Sequence, residues 1–349
     1  MRFLALTFDA GGNLPPLLGL IEALAARGHA VEVMGHATQK REIEAAGAHF
    51  IAFQRAAERD AGAPADPNML AWLEAFDPAA RDELLAAAKD RAPDVLIVDA
   101  MTPASLAAAN ASAWPTAALC HAPYGMLAGY LGGRFRAPME GADLVLVTSY
   151  AAFHSGPPAP ANVFFSGPVR PSADAPTWSR SRPDRPLILA SLSTAQQNQS
   201  AVLGRLCEAL RGVEAEVLVT TGRAVAPETL PGAPHMRIER AVPHEAVLPF
   251  ADLLITHAGH GTVMAGATAG VPMLCLPGLG DQPANAERVA ELGLGEAMDT
   301  GSSPQVLRAA IERLLSDEAL RLRCRTFARD VAGQNRLDLA VERLEAVME

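Results

Sequence analysis

The run Thr256-His257-Ala258-Gly259-His260-Gly261-Thr262 is followed by Gly270-Val271-Pro272 and then by Asp281-Gln282-Pro283-Ala284-Asn285-Ala286, and these residues are the best suited to chemistry in the chain. Leu253-Leu254-Ile255 is a short apolar run of the kind that makes a buried parallel strand. Gly259 and Gly261 end it, and Thr262 to Ala269 has a helical composition. A glycine turn that closes a strand and opens a helix presents unpaired backbone N–H groups at the positive end of a helix dipole. Such a turn holds anions, most often phosphate, and His257, His260 and Thr262 add side-chain donors around it. Asp281 and Gln282 offer a carboxylate and an amide, which suit hydroxyls better than phosphate. Phosphate donors followed by hydroxyl readers point to a nucleotide sugar.

A second group lies in the first half. The loop Phe8-Asp9-Ala10-Gly11-Gly12-Asn13-Leu14-Pro15-Pro16 follows the apolar opening of the chain. Asp99 ends the apolar run Leu96-Ile97-Val98, and His121 follows Thr116–Cys120. Each is placed at the carboxyl end of an expected strand, where open α/β sheets bind ligands.

The elements that must position these groups alternate. In the first half, strands are expected at Arg2–Thr7, Ala30–Met34, Phe50–Phe53, Val95–Val98, Thr116–Cys120, Leu144–Thr148 and Val163–Phe165. Helices are expected at Leu14–Arg27, Gln39–Ala46 and Asn68–Asp90. Trp72 and Phe76 on the last of these either line an apolar pocket or belong to plain core. Gly167–Pro186 carries five prolines and little apolar content, and reads as a linker. The pattern then restarts with Leu187–Ala190, Glu216–Thr220, Arg237–Glu239, Leu253–Thr256 and Met273–Leu276. The reading is α/β: two Rossmann-like doubly wound domains. The boundaries are 1–167, a linker at 168–186, a second domain at 187–327 and a long amphipathic helix at 328–349.

Composition narrows the function. The chain has 349 residues, enough for two domains, and half are hydrophobic. A net charge of −10 argues against general nucleic-acid binding. Cys120, Cys207, Cys275 and Cys324 are scattered, with neither zinc spacing nor a disulfide framework, which fits a reducing cytoplasm. Met1–Leu6 is apolar but is soon interrupted by Asp9, so it reads as a strand and not as a signal peptide. No run approaches the ~18 apolar residues of a membrane helix.

From about Arg240 to Gly295 the sequence resembles the donor-binding signature of the family 1 glycosyltransferases, which have the GT-B fold of two domains facing a cleft. The actinobacterial enzymes that decorate natural products are the nearest likeness. The resemblance implies an inverting transfer of a hexose or deoxyhexose from a UDP- or dTDP-sugar to a small natural-product acceptor, with no metal or other cofactor. It implies that the loop with Ser193 and Thr194 contacts the diphosphate and that Val242 holds the base through its backbone. His257 and Thr262 match the diphosphate-binding His and the phosphate-contacting hydroxyl, with Gly259, His260 and Gly261 forming the turn between them. Asp281 and Gln282 match the pair that reads the sugar hydroxyls. The final helix is expected to return to the first domain. Homodimer formation is left open.

Two departures from the family pattern matter. UDP-glucose users commonly place a Glu where Ala265 stands, to bridge both ribose hydroxyls, so the change tilts the expectation toward a dTDP-sugar. The family's catalytic His is replaced by Asn13, and the Asp that orients it matches Asp99. An amide cannot accept a proton near neutral pH. Asp99 is the favoured base, with His121 and Asp9 as alternatives and a strongly acidic acceptor as a fourth reading. Two other functions compete: a degenerate homologue that binds a partner, supported by Asn13, and a nucleotide-sugar epimerase.

Overall fold

The computed structural model describes residues 1–59, 69–171, 178–192, 199–222, 225–334 and 336–348. The chain divides into two compact units. Among the described residues, the first takes 1–59, 69–171, 334 and 336–348, and the second takes 178–222 and 225–333 apart from the undescribed stretch within it.

The first unit runs β1 (Arg2–Leu6), α1 (Leu14–Ala26), β2 (Ala30–Gly35), α2 (Lys40–Ala45), β3 (His49–Ala52), α3 (Met69–Arg91), β4 (Val95–Asp99), α4 (Pro103–Asn110), β5 (Thr116–Cys120), α5 (Tyr124–Gly133), α6 (Arg136–Glu140), β6 (Leu144–Val147) and β7 (Val163–Phe165). The sheet order is β3-β2-β1-β4-β5-β6-β7, with every pairing parallel. Strands covered on both faces read as continuous apolar runs, and alternate residues divide between two cores. Leu4, Leu6, Leu96 and Val98 pack on one side with Phe76 and Leu84 of α3. Phe3, Ala5, Val95 and Ile97 pack on the other with Leu20, Ile21 and Leu24 of α1.

The second unit runs β8 (Leu187–Ser191), α7 (Ser200–Leu210), β9 (Glu216–Thr220), β10 (Met236–Glu239), α8 (His244–Val247), β11 (Leu253–Thr256), α9 (His260–Ala269), β12 (Met273–Cys275), α10 (Gln282–Glu291), β13 (Gly295–Ala297), α11 (Pro304–Ser316) and α12 (Glu318–Val331). Its sheet order is β10-β9-β8-β11-β12-β13, again parallel throughout. Both sheets reverse direction of growth beside their first strand, between β1 and β4 in one and between β8 and β11 in the other. Those two switch points are where a doubly wound sheet opens a crevice for ligand.

Three points differ from the sequence reading. The helix expected at 328–349 is two pieces: α12 ends at Val331, and α13 (Leu337–Ala346) follows a short 3-10 turn. Gly333, a poor helix former, lies in that break. Ala340, Val341 and Leu344 of α13 then enter the core of the first unit beside α1. Next, parts of the expected linker are fixed in place although 181–184 are exposed. Val169 is buried, and the backbone of Arg170 runs so close to Gly19 that any Cβ there would meet its carbonyl. Further along, the buried Glu216 carboxylate accepts the N–H groups of Ser181 at 2.8 Å and Arg182 at 2.9 Å. Finally, β13 has no counterpart in the sequence reading. Among the described residues no helix is long and apolar enough to cross a membrane.

Candidate functional site

In the first unit, the loop after β1 folds back on the end of β4. The Asn13 amide donates from Nδ2 to Asp99 Oδ2 at 2.8 Å, to the Phe8 carbonyl at 2.8 Å and to Thr7 Oγ1 at 3.2 Å. Its Oδ1 accepts the Ala10 N–H at 3.2 Å. Asn13 is 1% exposed, so this side chain is consumed in fastening the loop to Asp99. Asp99 is 3% exposed, and its other oxygen accepts the Met101 N–H at 2.9 Å. That same oxygen lies 3.2 Å from His121 Nε2. His121 is the more open of the pair, with 16% of its side chain exposed. Asn13, Asp99 and His121 therefore form one hydrogen-bonded chain across the switch point.

Asp99 does not cap the helix that follows it. The first N–H groups of α4 are taken by Asp77 of α3, from Ala104 at 2.7 Å and Ser105 at 2.9 Å. Asp9 belongs to a different network. Its carboxylate accepts Thr38 Oγ1 at 2.9 Å and the Gly11 N–H at 3.2 Å, while its own N–H donates to His36 Nδ1 at 3.0 Å. His36 is fully buried among Phe53, Trp72 and Phe76, and burial pushes its pKa down to about 4. Phe76 is core and Trp72 stacks on it at 4.7 Å, which places both beneath the Asp9 loop. His36 carries no signal in the sequence beyond an isolated His after a strand.

In the second unit, the turn from β11 into α9 is built as the glycines require. Gly259 is the N-cap, and Ala258 before it adopts φ +65°, a conformation uncommon outside glycine. Thr256 Oγ1 accepts the Ala258 N–H at 3.1 Å. Asn285 of α10 donates from Nδ2 to the Ala258 carbonyl at 2.9 Å and to Asp281 Oδ2 at 2.7 Å. Asp281 Oδ2 also accepts the N–H of His260, the first residue of α9, at 3.1 Å. A carboxylate thus sits at the positive end of α9. Asp281 is the N-cap of α10 but makes no capping bond there, so its side chain faces α9. Gln282, 3% exposed, accepts the N–H groups of Gly278 at 2.8 Å and Leu279 at 3.3 Å.

His257 is half-buried at the end of β11, and burial pushes its pKa down to about 4 against the opposing pull of Asp281. Its Nδ1 is buried without a hydrogen-bond partner among the described residues. Ser191, paired in register with Thr256, lies beside it on β8. Ser191 Oγ accepts Thr220 Oγ1 at 2.8 Å and is 2.9 Å from His244 Nε2. Gly261 is exposed, Thr262 is partly exposed, and Val242 is partly exposed in the segment before α8. Ser193 and Thr194 lie outside the described residues. Ala265 is buried one turn into α9.

Residues 204–347 match the family model described as Erythromycin biosynthesis protein CIII-like, C-terminal domain. The calicheamicin glycosyltransferase CalG4 is similar in structure over 99% of this chain and 98% of its own, with a TM-score of 0.81 and 23% identity. The chain has the fold of the GT-B glycosyltransferases. The glycosyltransferase VinC, solved in complex with dTDP, is likewise similar over 100% of this chain and 99% of its own, with a TM-score of 0.74 and 22% identity. In sequence, the chain is 33% identical over 167 residues to the NDP-glycosyltransferase YjiC of Bacillus subtilis (strain 168), covering 47% of this chain and 43% of that protein. The chain thus spans less than half the length of that curated relative in the match. The resemblance to natural-product glycosyltransferases read from the motif stands. Asn285, quoted in the motif without a task, lies at i+4 from Asp281 on α10 and so shares its face.

Proposed function

We propose that this protein is an inverting glycosyltransferase that moves a hexose or deoxyhexose from a nucleoside diphosphate sugar to a small acceptor. The observation that carries the reading is the α9 turn. His257, the helix N-terminus and the Asp281 carboxylate meet at the β8/β11 switch point, which joins a diphosphate site to a hydroxyl-reading site. Support also comes from the NDP-glycosyltransferase named among the relatives and from the dTDP complex named among the structures.

In this reading the diphosphate lies at Gly259–Thr262, drawn by the positive end of α9 and held by His257. Asp281 accepts hydrogen bonds from the sugar, and Gln282 holds the loop that precedes it. The acceptor oxygen attacks the anomeric carbon as the bond from that carbon to the diphosphate oxygen breaks. The electron pair leaves with the diphosphate, whose growing charge faces the helix dipole. No metal takes part in this scheme. The nucleotide is dTDP in preference to UDP, because Ala265 offers nothing to ribose hydroxyls.

The proton leaves through His121. Its Nε2–H donates to Asp99, which makes Nδ1 the basic nitrogen and stabilises the imidazolium that forms. The sequence favoured Asp99 as base and kept His121, then Asp9, as alternatives. The geometry supports the second, because the Asp99 carboxylate is buried and accepts bonds from Asn13, Met101 and His121 together. Asn13 then holds Asp99 in place rather than touching the acceptor.

The test is incubation with UDP- and dTDP-hexoses and a panel of phenolic and macrolide acceptors, following nucleoside diphosphate release. Acceptor-dependent release with a glycosylated product is expected. Sugar isomers without transfer would indicate an epimerase, and nucleotide binding without turnover a binding partner; either result overturns the proposal.

A further inference from the structure

The structure assigns a positioning role to Asn285, which ties the diphosphate turn to the sugar-reading carboxylate so that the two act in register. The inference rests on the glycosyltransferase reading above. Asn285 is completely buried. Its two amide hydrogens go to two different parts of the site: one to the carbonyl of Ala258 at 2.9 Å and one to Asp281 Oδ2 at 2.7 Å. Both partners are acceptors, so the amide orientation is fixed with Nδ2 toward them.

Each contact bears on a feature that needs support. Ala258 holds φ +65°, and a non-glycine residue stays there only where its surroundings fix it. That turn aims His257 and opens α9. The second contact turns Asp281 away from its own helix. Asp281 is left pointing at the His260 N–H, 3.1 Å away, and not at the first turn of α10. Asn285 sits at i+4 from Asp281, one helical turn below it, where a side-chain amide reaches the carboxylate directly.

The other end of the same side chain argues against a packing role. Asn285 Oδ1 is buried with no hydrogen-bond partner among the described residues. A buried acceptor left unpaired costs stability, and an apolar residue of the same volume would avoid that cost. The amide is explained by its two donors, not by the space it fills. His257 Nδ1, on the residue before Ala258, is also buried with no hydrogen-bond partner among the described residues.

The test compares the wild-type chain with Asn285→Ala, Asn285→Leu, Asp281→Asn and the Asn285→Ala/Asp281→Asn double variant. The readouts are kcat/KM for the nucleotide sugar, calorimetric affinity for free dTDP and UDP, and thermal melts. Leucine keeps the volume and removes both donors. If the donors matter, Asn285→Leu loses about tenfold or more in kcat/KM, as Asn285→Ala does, while its melting temperature stays at or above that of Asn285→Ala. In the Asp281→Asn background the further loss from Asn285→Ala shrinks to less than half on a logarithmic scale, because the contact is already altered. What remains appears as weaker binding of free diphosphate, through the Ala258 turn. Wild-type activity in Asn285→Leu, or fully additive losses in the double variant, would overturn the inference while leaving the glycosyltransferase reading intact. A wild-type chain that neither binds nor turns over nucleotide sugar would overturn that reading, and this inference with it.

Discussion

His121 Nε2 stands 3.2 Å from Asp99 Oδ1, where Asp99 ends β4 and His121 follows its parallel neighbour β5, beside the switch point of the first sheet. The pair separates duties between a buried carboxylate and a more exposed imidazole. If His121 is the base, His121→Ala lowers kcat by about 10²–10⁴. Asp99→Asn lowers kcat as well, by disturbing the tautomer, but leaves nucleotide affinity unchanged. Near-full activity in His121→Ala, together with loss in Asp99→Asn, would return the base's role to Asp99.

Asn13 is expected to behave as a structural brace. Asn13→Ala leaves Asp99 Oδ2 without its donor in a buried setting, while the Phe8 carbonyl keeps the Gln39 amide. The expected loss is about 1–3 kcal/mol in denaturant unfolding. A variant as stable as the wild type but without activity would instead place Asn13 on the acceptor.

At the proposed diphosphate site, His257→Ala should weaken the binding of free dTDP about tenfold or more, the worth of a hydrogen bond to a charged group. Asp281→Asn should reduce turnover with nucleotide sugar while free diphosphate binds nearly as before. Calorimetry with dTDP and UDP side by side checks both variants and the nucleotide preference. Tighter UDP binding by the wild type would mean that a residue other than Ala265 serves the ribose.

The pH dependence of stability follows from His36. Its folded-state pKa is about 4 against 6.5 unperturbed, chiefly through burial, with Asp9 opposing and Arg59 assisting. Between those values the folded state binds fewer protons than the unfolded one, so stability rises with pH across that window. The contribution is fully present above pH 6.5 and is lost as the pH falls toward 4, about 3 kcal/mol in all. His36→Asn keeps an acceptor for the Asp9 N–H and removes the titration. Its midpoint denaturant concentration should change less between pH 6.5 and pH 4.5 than that of the wild type.

Much of this was legible in the residues. Apolar runs such as Leu253–Thr256 mark buried parallel strands because both faces of each sheet are covered, and the glycines after them mark turns. Gly295-Glu296-Ala297 gave no such signal, being short and half polar, and it pairs only because Met273–Cys275 offers it an edge. Gly295 has no room for a Cβ there, which would meet the Met273 carbonyl. The residues of the proposed donor site could be singled out because they are close in sequence. The Asn13–Asp99–His121 chain was readable as three candidates but not as an order of roles, since burial and hydrogen-bond partners decide which of them is exposed. Asn285 was in plain view at a helical spacing, yet only the orientation of Asp281 explains it.

Helix α13 has a consequence for how the chain is made. Its Ala340, Val341 and Leu344 complete a core otherwise built from residues before 147, while the second unit intervenes. The second unit is therefore an insertion within the first. On the ribosome the earlier unit waits with an open apolar face while more than 150 further residues are synthesised. The later unit can reach its native state before the earlier one is finished. Nascent chains halted before Leu337 should bind chaperones through that uncovered face, and supplying α13 as a separate peptide should release them.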